Sequence, residues 1–445
     1  MTSCFRWAPE RWPPPGSGDT GSSMKPFSAQ KAREIVLNLN RPAVFLGMAN
    51  DWPASRWNVP HLCDLLQDKS LRFRIGRREM STEPQFETQC DYIDGTIGQF
   101  RAWVSGGPPE DCGPFSPFSR AEFWAYADYK YLALLFEDEP QILQDVLWED
   151  FGFPGRGGQE STLWVGSRGA NTPCHIDSYG CNLVLQVEGR KRWRLFPPED
   201  TPHLYPTRIP YEESSIFSKV HVLNPDRKRY PSFCRARPHV VTLHPGQVLL
   251  VPRHWWHYVE SIDDVTVSIN SWMELDSDDE ARVEEAITRM VVCAFKSADP
   301  ASSASDWLNP TENMATSHNT NLEYLNRATS AYRKRRRTAG ESDPSIAEQE
   351  PPPVKKSRSE RSLEGDSDWF GPHLLPVLPV SSNVKARGDE DTAVMADAQT
   401  ENGDPNPNPA TEWTDTITSN AVLDCLVNPQ VIRLVAGLLL SRSNT

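Results

Sequence analysis

Short apolar runs follow one another closely between residues 161 and 272. Gly, Pro, Asp or charged residues separate each run from the next, and no long helical pattern interrupts the series. Many short strands with turn signals between them are typical of a β-sandwich or barrel, whereas a parallel sheet needs helices between its strands. The pattern therefore predicts a mainly β protein. The runs are TLWVGS, NLVLQVEG, RWRLFPP, HVVTLHPGQVLLVP, WWHYVES and VTVSINSW.

Flanking helices and strands are predicted on both sides of this region. Ser28 is positioned to cap a short helix that includes Ile35 and Leu37. PAVFLG predicts a buried strand, HLCDLLQDKSLRFRIGRR a helix followed by a strand, and RAEFWAYADYKYLALLF a strand or a wall of the core. The segment SDDEARVEEAITRMVVCAF predicts a helix, because Ser277 and Glu280 match a capping box and apolar residues recur on one face.

The ends of the chain have a different character. Residues 1–24 are rich in Pro, Gly and Ser, and residues 297–411 lack apolar periodicity, so both predict disorder. The last segment is apolar again and predicts two amphipathic helices broken at Pro429, docked either on the domain or on a second chain. The predicted order is a disordered arm (1–24), the N-terminal part of the domain (25–160), the strand-rich core with its following helix (161–296), a disordered linker (297–411) and C-terminal helices (412–445).

Composition narrows the classes of protein. The chain has 445 residues, of which 46 are Lys or Arg and 60 are Asp or Glu, so an overall charge of −14 provides no general attraction to nucleic acid. Nine cysteines without a CxxC pair argue against a cysteine zinc site and fit a reducing compartment. No signal peptide and no membrane-spanning run is recognisable, so we expect a cytoplasmic protein without membrane association. RKRRR at 333–337 and KKSR at 355–358 are either a nuclear import signal or solvated charge runs.

The segment NTPCHID contains the first candidate for chemistry. His175 and Asp177 are two residues apart, so in an extended segment both side chains face the same side. His257 in the later run WWHYVES supplies a third ligand, while its rival His254 would point the opposite way in a strand. Two imidazoles and one carboxylate form the facial triad that holds non-haem Fe(II) and leaves positions open. The alternative is that these histidines are ordinary core residues.

Lys191 adds a second chemical signal. It follows shortly after the apolar strand that begins at Asn182. A cation inside a barrel needs an anion, because an unpaired buried charge is unfavourable. A dicarboxylate co-substrate would supply that anion, so a triad with a buried lysine indicates a 2-oxoglutarate oxygenase.

Several motifs then occur in an order that resembles the JmjC-domain oxygenases. They are TPCHID, NLVLQVEGRKRWRLFPPED, LYP, PGQVLLVPRHWWHYVES and VTVSINSW, and RPAVFLGMANDWPASRW is similar to the N-terminal extension of the small JmjC hydroxylases. That subgroup includes the asparaginyl hydroxylase of hypoxia-inducible factor and the tRNA wybutosine hydroxylase. The resemblance covers about residues 25 to 296. It implies a double-stranded β-helix, the cupin-like jelly roll, with flanking helices.

The resemblance also implies roles for individual residues. His175, Asp177 and His257 would ligate Fe(II), and Lys191 would pair with the distal carboxylate of 2-oxoglutarate. Thr172 and Tyr131 would hydrogen-bond to the co-substrate, and Asn182 and Asn270 would line its pocket. The chain is one residue longer than the asparaginyl hydroxylase between Asp177 and Asn182. Cys181 therefore competes with Asn182 for one role, and the register with LQVEG favours Asn182.

Three functions are compatible with these features. The first is an oxygenase that hydroxylates a protein, with tRNA as the second choice of substrate and histone demethylation as the third. The second is a JmjC scaffold that binds a partner, with a small heat-shock protein as the candidate, and has little turnover. The third is a sugar-binding or storage jelly roll without metal. The sequence leaves the substrate and the oligomeric state open.

Overall fold

A computed structural model describes residues 25–78, 81–298, 303–312, 314–338, 369–380 and 418–442. The predicted disordered arm, residues 1–24, lies outside the described residues. So do residues 339–368 and 381–417, which make up much of the predicted linker.

Two antiparallel sheets form the centre of the molecule. The larger has the strand order β15-β1-β12-β7-β14-β5-β4-β2-β3, and the smaller has the order β11-β8-β13-β6-β10-β9. The prediction of a mainly β, jelly-roll core with flanking helices is confirmed. The strands are β1 Ala43–Leu46, β2 Leu71–Arg77, β3 Asp91–Gly95, β4 Phe123–Tyr131, β5 Thr162–Ser167, β6 Asn171–Asp177, β7 Cys181–Glu188, β8 Lys191–Phe196, β9 Pro206–Thr207, β10 Ser215–Ser218, β11 His239–Leu243, β12 Gln247–Val251, β13 Trp256–Ser261, β14 Val265–Met273 and β15 Leu374–Pro376.

Helices flank the sheets, and buried residues of the first three share one apolar cluster with strands of the larger sheet. The first is capped by Ser28, whose hydroxyl accepts a hydrogen bond from the backbone N–H of Lys31 at 3.2 Å, as the sequence predicts. The helices up to the end of the jelly roll are α1 Ala29–Asn38, α2 Val59–Leu66, α3 Ile97–Ser105, α4 Pro109–Cys112, α5 Leu132–Leu135 and α6 Asp278–Ser297.

The start of α6 differs from its prediction. The Ser277 hydroxyl makes no capping hydrogen bond to the helix, so the predicted capping box is wrong. The Asp278 carboxylate instead accepts hydrogen bonds from the backbone N–H groups of Leu275 at 2.8 Å and Gly180 at 3.0 Å. Because Gly180 lies between β6 and β7, this contact fixes the start of α6 next to the turn after Asp177.

Part of the predicted linker is folded. Residues 303–338 form α7 Ala304–Trp307 and α8 His318–Thr338, and α8 packs along α6. Leu325, Ala328 and Tyr332 lie at helical spacing and contact the α6 residues Val283 and Ile287 in one apolar cluster. The prediction of disorder from 297 to 411 therefore does not hold here. The apolar positions of α8 are few and stand among Asn, Thr and Arg residues, which conceals the helical period in the sequence.

The described residues 369–380 return to the beginning of the domain. β15 pairs antiparallel with β1, and the Val377 N–H donates to the Pro42 carbonyl at 3.0 Å. Leu374 is fully buried in the main core. This strand was also not predicted, since three residues among prolines provide no alternation to recognise.

The C-terminal helix pair comprises Ser419–Leu426 and Pro429–Leu440, and it breaks at Pro429 as the sequence predicts. The Asp424 carboxylate accepts a hydrogen bond from Lys219 at 2.5 Å, which ties the pair to the jelly roll. Among the described residues no single helix is long and apolar enough to cross a membrane, although this bent pair passes the same test by length and composition. The pair packs on α6 and α8 through Leu423, Val427, Ile432, Ala436 and Leu440.

Candidate metal and co-substrate site

Strand pairing brings the three candidate metal ligands together. His175 and Asp177 lie on β6, and His257 lies opposite His175 on the neighbouring strand β13. The ligand atoms of the three side chains all lie within 4.8 Å of one another. His175 Nε2 is 3.6 Å from Asp177 Oδ1, and His257 Nε2 is 3.8 Å from Asp177 Oδ2. The structure thus assembles the triad expected from the sequence, with both imidazoles buried.

Hydrogen bonds orient both imidazoles toward this cluster. His175 Nδ1 lies 2.8 Å from the Pro173 carbonyl oxygen, and His257 Nδ1 lies 3.0 Å from the Trp255 carbonyl oxygen. A carbonyl only accepts, so each Nδ1 donates, and Nε2 is the ring nitrogen that each histidine directs to the cluster. Outer contacts of this kind fix the tautomer of metal-binding histidines. The donor set therefore fits a divalent transition metal.

The electrostatics of the triad also favour a cation. Burial alone would raise the pKa of Asp177, but its hydrogen bond to His175 and the two imidazoles outweigh burial and lower the pKa to about 2. Burial, followed by the charge of His175, lowers the pKa of His257 to about 4. Burial also opposes protonation of His175, but Asp177 more than compensates and raises its pKa. Asp177 and His257 thus already have the protonation state of metal ligands, whereas a metal would have to displace a proton from His175.

His254 does not take part in the cluster. It precedes β13 and has a left-handed backbone, with φ of 64°. The triad group contains His257 and does not contain His254. Because His254 lies in a turn and not in a strand, the expectation that it would point opposite to His257 along a strand does not apply to it.

Next to the triad lies a small cavity between the two sheets, which we call the inner cavity. Its lining combines the triad with polar and aromatic side chains of six strands. The residues are Tyr126, Tyr129, Trp164, Thr172, His175, Asp177, Asn182, Val184, Lys191, Trp193, His257, Val259, Ser268, Asn270 and Trp272.

Lys191 is the buried cation of the inner cavity, with 2 % of its surface exposed. Its Nζ donates to Ser268 Oγ at 2.8 Å and lies 3.2 Å from Tyr126 Oη. Burial lowers its pKa to about 7, and the charge of Asp128 offsets only part of this effect. Within the described part of the chain no carboxylate forms a salt bridge with Lys191, so its positive charge lacks an anion.

The two asparagines expected from the sequence are both in the inner cavity. Asn270 Nδ2 donates to Asn182 Oδ1 at 2.9 Å, and Trp164 Nε1 donates to Asn270 Oδ1 at 2.7 Å. Cys181, the alternative to Asn182, instead lies in the apolar core. Neighbouring residues of a strand point to opposite faces, so only one of these two can reach the cavity.

Tyr131 is not in the inner cavity, although Thr172 is. Its side chain is 53 % exposed at the end of β4, and the tyrosine beside Lys191 is Tyr126. The pairing of β4 with β5 is irregular between Ala127 and Lys130, and Tyr129 there has φ of 51°. This bulge changes which residues of β4 face inward. The sequence also did not indicate Ser268 or Trp193, whose buried Nε1 has no hydrogen-bond partner among the described residues.

A larger depression of about 580 Å³, the outer cleft, adjoins the inner cavity and shares Tyr129, Asp177 and Trp272 with it. Eight acidic and three basic residues line it. Residues 310–312, which the sequence predicts to be part of a disordered linker, form part of its wall. The complete lining is Arg72, Glu87, Tyr92, Asp128, Tyr129, Lys130, Tyr131, Asp177, Tyr179, Gly180, Glu212, Glu213, Ser214, Ser215, Trp272, Glu274, Asp278, Arg282, Pro310, Thr311 and Glu312.

Comparison with known proteins agrees with this architecture. Residues 29–279 match the family model of the cupin-like domain. With its jelly roll and His-x-Asp…His cluster, the chain belongs to the cupin-like family, in its JmjC branch.

Relatives of known name extend the comparison beyond this domain. The chain is 50 % identical over 457 residues to HSPB1-associated protein 1 of Rattus norvegicus, with 95 % of each chain covered. It is 49 % identical over 466 residues to the Homo sapiens protein of the same name, again with 95 % of each covered. Lysine-specific demethylase 8 of Danio rerio is more distant, at 28 % identity over 258 residues, which cover 55 % of this chain and 56 % of the demethylase.

Proposed function

We propose that this chain is an Fe(II)- and 2-oxoglutarate-dependent JmjC oxygenase that hydroxylates a protein. The observation that supports this most directly is the position of Lys191. A buried cation without an anionic partner lies in the same cavity as three converging metal donors. A dicarboxylate bound between them would satisfy both, since carboxylates pair with cations and complete a metal's coordination.

In this proposal each group of residues has a separate task. His175, Asp177 and His257 hold the iron, and the Lys191 ammonium binds the distal carboxylate of 2-oxoglutarate. Together with O₂, iron and this co-substrate would supply the oxidising power for hydroxylation of a C–H bond, and 2-oxoglutarate would be converted to succinate and CO₂. The protein binds and orients these groups and excludes water from them, and the residues that do so lie on rigid strands.

Hydroxyl and amide groups complete the co-substrate pocket. Tyr126 and Ser268 hold the Lys191 ammonium, and Thr172 lies within hydrogen-bonding range of the Tyr126 phenol. The pair Asn182 and Asn270 is already hydrogen-bonded, so these amides have fixed directions before a ligand enters. Such pre-organisation lowers the entropic cost of binding.

A protein is a better substrate than tRNA because the outer cleft is acidic. Phosphate groups are repelled by carboxylates, and nucleic-acid binding depends on cations that neutralise phosphates. Eight acidic residues against three basic ones in the cleft make a poor surface for RNA.

The proposal is tested with the full chain, purified without oxygen and loaded with Fe(II). We expect one iron per chain and, once 2-oxoglutarate and O₂ are added, formation of succinate that is lost in His257→Ala. Iron binding without any succinate formation, even with candidate protein substrates, would contradict the oxygenase assignment. Mass spectrometry of proteins retained by the inactive variant then identifies substrates.

The name of the two mammalian relatives favours a second candidate. They are described as associated with HSPB1, so this chain is a candidate scaffold for a small heat-shock protein with little turnover. Binding of purified HSPB1 to wild type and to Lys191→Ala separates the two functions. Equal binding together with absent succinate formation supports the scaffold. Hydroxylation of the bound protein by the wild type supports the oxygenase.

A further inference from the structure

Most carboxylates of the outer cleft already have a partner. Several are paired with an arginine, and Asp278 accepts backbone hydrogen bonds at the start of α6. Each of these carboxylates thus already has a polar partner within the protein. The ion pairs are Glu213 and Glu312 with Arg289 at 2.7 and 2.9 Å, Glu274 with Arg282 at 3.5 Å, and Asp128 with Arg74 at 2.7 Å.

Glu212 is different from these residues. It is 7 % exposed, and its Oε1 accepts a hydrogen bond from Thr311 Oγ1 at 2.8 Å. Its other oxygen, Oε2, is buried and makes no hydrogen bond of normal geometry within the described residues. No cation in that part of the chain forms a salt bridge with it. A buried carboxylate oxygen without a partner is unusual in native proteins and requires an explanation.

The electrostatics agree with a missing cation. Burial, followed by the charge of Glu87, raises the pKa of Glu212 to about 8, and the Thr311 and Ser215 hydroxyls offset only part of this increase. Glu87 is itself 3 % exposed and accepts hydrogen bonds from Tyr92 and Asn309. A positive charge between two such carboxylates would stabilise the ionised form of both.

The position of Glu212 connects it to the metal cluster. Ser215 and Phe217 of β10 pair with Asp177 and His175 of the ligand strand β6. The segment that begins at Glu212 thus runs beside the ligand strand, and the cleft that Glu212 lines shares Asp177 and Trp272 with the inner cavity. A group bound at Glu212 is therefore next to the proposed iron.

We propose that the outer cleft binds its protein substrate through a positively charged side chain, arginine or lysine, and that Glu212 is the residue that binds this charge. This inference rests on the proposed function for the chemistry that follows, although the binding itself does not require it. A neutral donor could hydrogen-bond to Oε2 but would leave the negative charge of Glu212 unbalanced, and an acidic side chain would be repelled. The ring of Tyr129 in the same cleft also suits a cation, whereas the rings of Tyr92 and Tyr179 already lie beside Arg72 and Arg282.

The first test uses four fluorescein-labelled nine-residue peptide libraries and the full chain in EDTA. The libraries share flanking positions randomised among Ala, Gly, Ser, Leu and Phe, and they differ in a fixed central arginine, lysine, citrulline or norleucine. Fluorescence anisotropy should give at least tenfold tighter binding for the arginine or lysine library than for citrulline and norleucine. Equal affinity for all four would overturn the proposal.

Variants then locate the charge that is recognised. Glu212→Gln should reduce the preference for the arginine and lysine libraries at least tenfold. The amide oxygen of the variant can still accept a hydrogen bond from Thr311. The matched control Glu274→Gln removes a negative charge from the same cleft at an exposed position, and we expect less than a twofold change. Equal losses in the two variants would show that the overall charge of the cleft, and not Glu212, selects the cation.

A further measurement uses the wild-type protein and therefore does not depend on correct folding of the variant. Carbodiimide joins a carboxylate to an amine in direct contact, so it should couple the lysine library to Glu212, as read by peptide mass spectrometry. Coupling confined to other carboxylates would contradict the assignment. Because these experiments contain neither iron nor 2-oxoglutarate, absence of succinate formation leaves them intact. Absence of cation preference, conversely, leaves the oxygenase proposal standing with a different substrate class.

Discussion

The inner cavity and the outer cleft are neighbours that the protein builds in different ways. The inner cavity is lined by strand residues whose polar groups bond one another, such as Asn182 with Asn270. The outer cleft is lined by strands, loops and the start of α6 together with residues 310–312, and Glu212 in its wall has an unsatisfied oxygen. Strands hold side chains rigidly, whereas loops carry specificity. If the chain is the proposed oxygenase, its chemistry and its choice of substrate therefore depend on regions that are built differently.

The largest expected effect concerns the support of the outer cleft. Arg208 donates two hydrogen bonds to Glu285 of α6, at 2.9 and 2.6 Å, and a third to the Glu212 carbonyl at 3.1 Å. All of these groups are buried. Glu285→Gln should leave the Arg208 charge unpaired and lower the free energy of unfolding by about 3–5 kcal/mol in urea titrations.

Iron binding by the folded variant should remain within twofold of wild type, because the inner cavity does not depend on this pair. Glu284→Gln is the control, since its carboxylate is partly exposed and lies 3.6 Å from Arg433. A loss below 1 kcal/mol for Glu285→Gln would show that the pair does not support the cleft.

Asp177→Ala tests the inner cavity directly. The change removes the carboxylate from the triad, and since loss of an outer contact already costs about 10–100-fold in metal affinity, we expect at least about a hundredfold weaker iron binding. Iron content after anaerobic dialysis gives the result. Asp264→Ala, at a carboxylate that is 79 % exposed, should retain full occupancy. Unchanged iron in Asp177→Ala would remove the triad from consideration.

Lys191→Ala should weaken binding of the co-substrate without affecting binding of the metal. Loss of one charge-assisted contact corresponds to about 1.5–3 kcal/mol, so 2-oxoglutarate should bind at least about tenfold more weakly while iron stays in place. Calorimetric titration of iron-loaded, oxygen-free protein measures both. Arg192→Ala controls for removal of a nearby cation. If Lys191→Ala binds 2-oxoglutarate normally, Arg190 or Arg192 holds the carboxylate instead.

The pH dependence of the same step follows from the burial of Lys191. Its pKa in the free protein is lowered to about 7, so the ammonium form prevails below that pH and is lost as the pH rises. The bound carboxylate favours the charged form and raises the pKa again. Binding of 2-oxoglutarate at pH 8 should therefore take up most of one proton, and binding at pH 6 almost none. Calorimetry in two buffers of different ionisation enthalpy measures this uptake, and equal values at both pH would contradict it.

The smallest expected effect distinguishes two tyrosines of β4. Tyr126→Phe removes the hydroxyl beside Lys191, and a typical net hydrogen bond of about 0.5–1.5 kcal/mol corresponds to a loss of roughly two- to tenfold in 2-oxoglutarate affinity. Tyr131→Phe, at the exposed end of the strand, should change it less than twofold. The opposite ranking would restore Tyr131 to the co-substrate site.

The inner cavity was largely predictable because strand alternation is a short-range rule. Alternation of side chains along a strand places His175 and Asp177 on one face, and it also places Asn182 before the apolar run. Ser268, Asn270 and Trp272 follow the same period on β14. The prediction that Tyr131 lies in the co-substrate pocket was wrong because the bulge in β4 interrupts the alternation of side chains. No residue type in the sequence marks that bulge.

The outer cleft was not predictable for a different reason. Thr311 contacts Glu212 across 99 positions of the chain, from a segment with too little apolar periodicity to predict any fold. Such contacts depend on where α6 and α8 direct the chain, and this is a tertiary property. Glu212 itself lies in an ordinary polar stretch, and only its burial distinguishes it from other glutamates.

The strand β15 has a consequence for aggregation of the chain. Without residues 369–380, β1 would be the last strand of the larger sheet, with unpaired backbone N–H and C=O groups. The same segment also meets β11, the edge of the smaller sheet, at His239 and Pro379. Open edges are templates for pairing between molecules, and proline on an outer strand discourages further addition. A short segment far from the jelly roll in sequence thus protects both sheets against aggregation, and any truncation that ends after α6 sacrifices that protection.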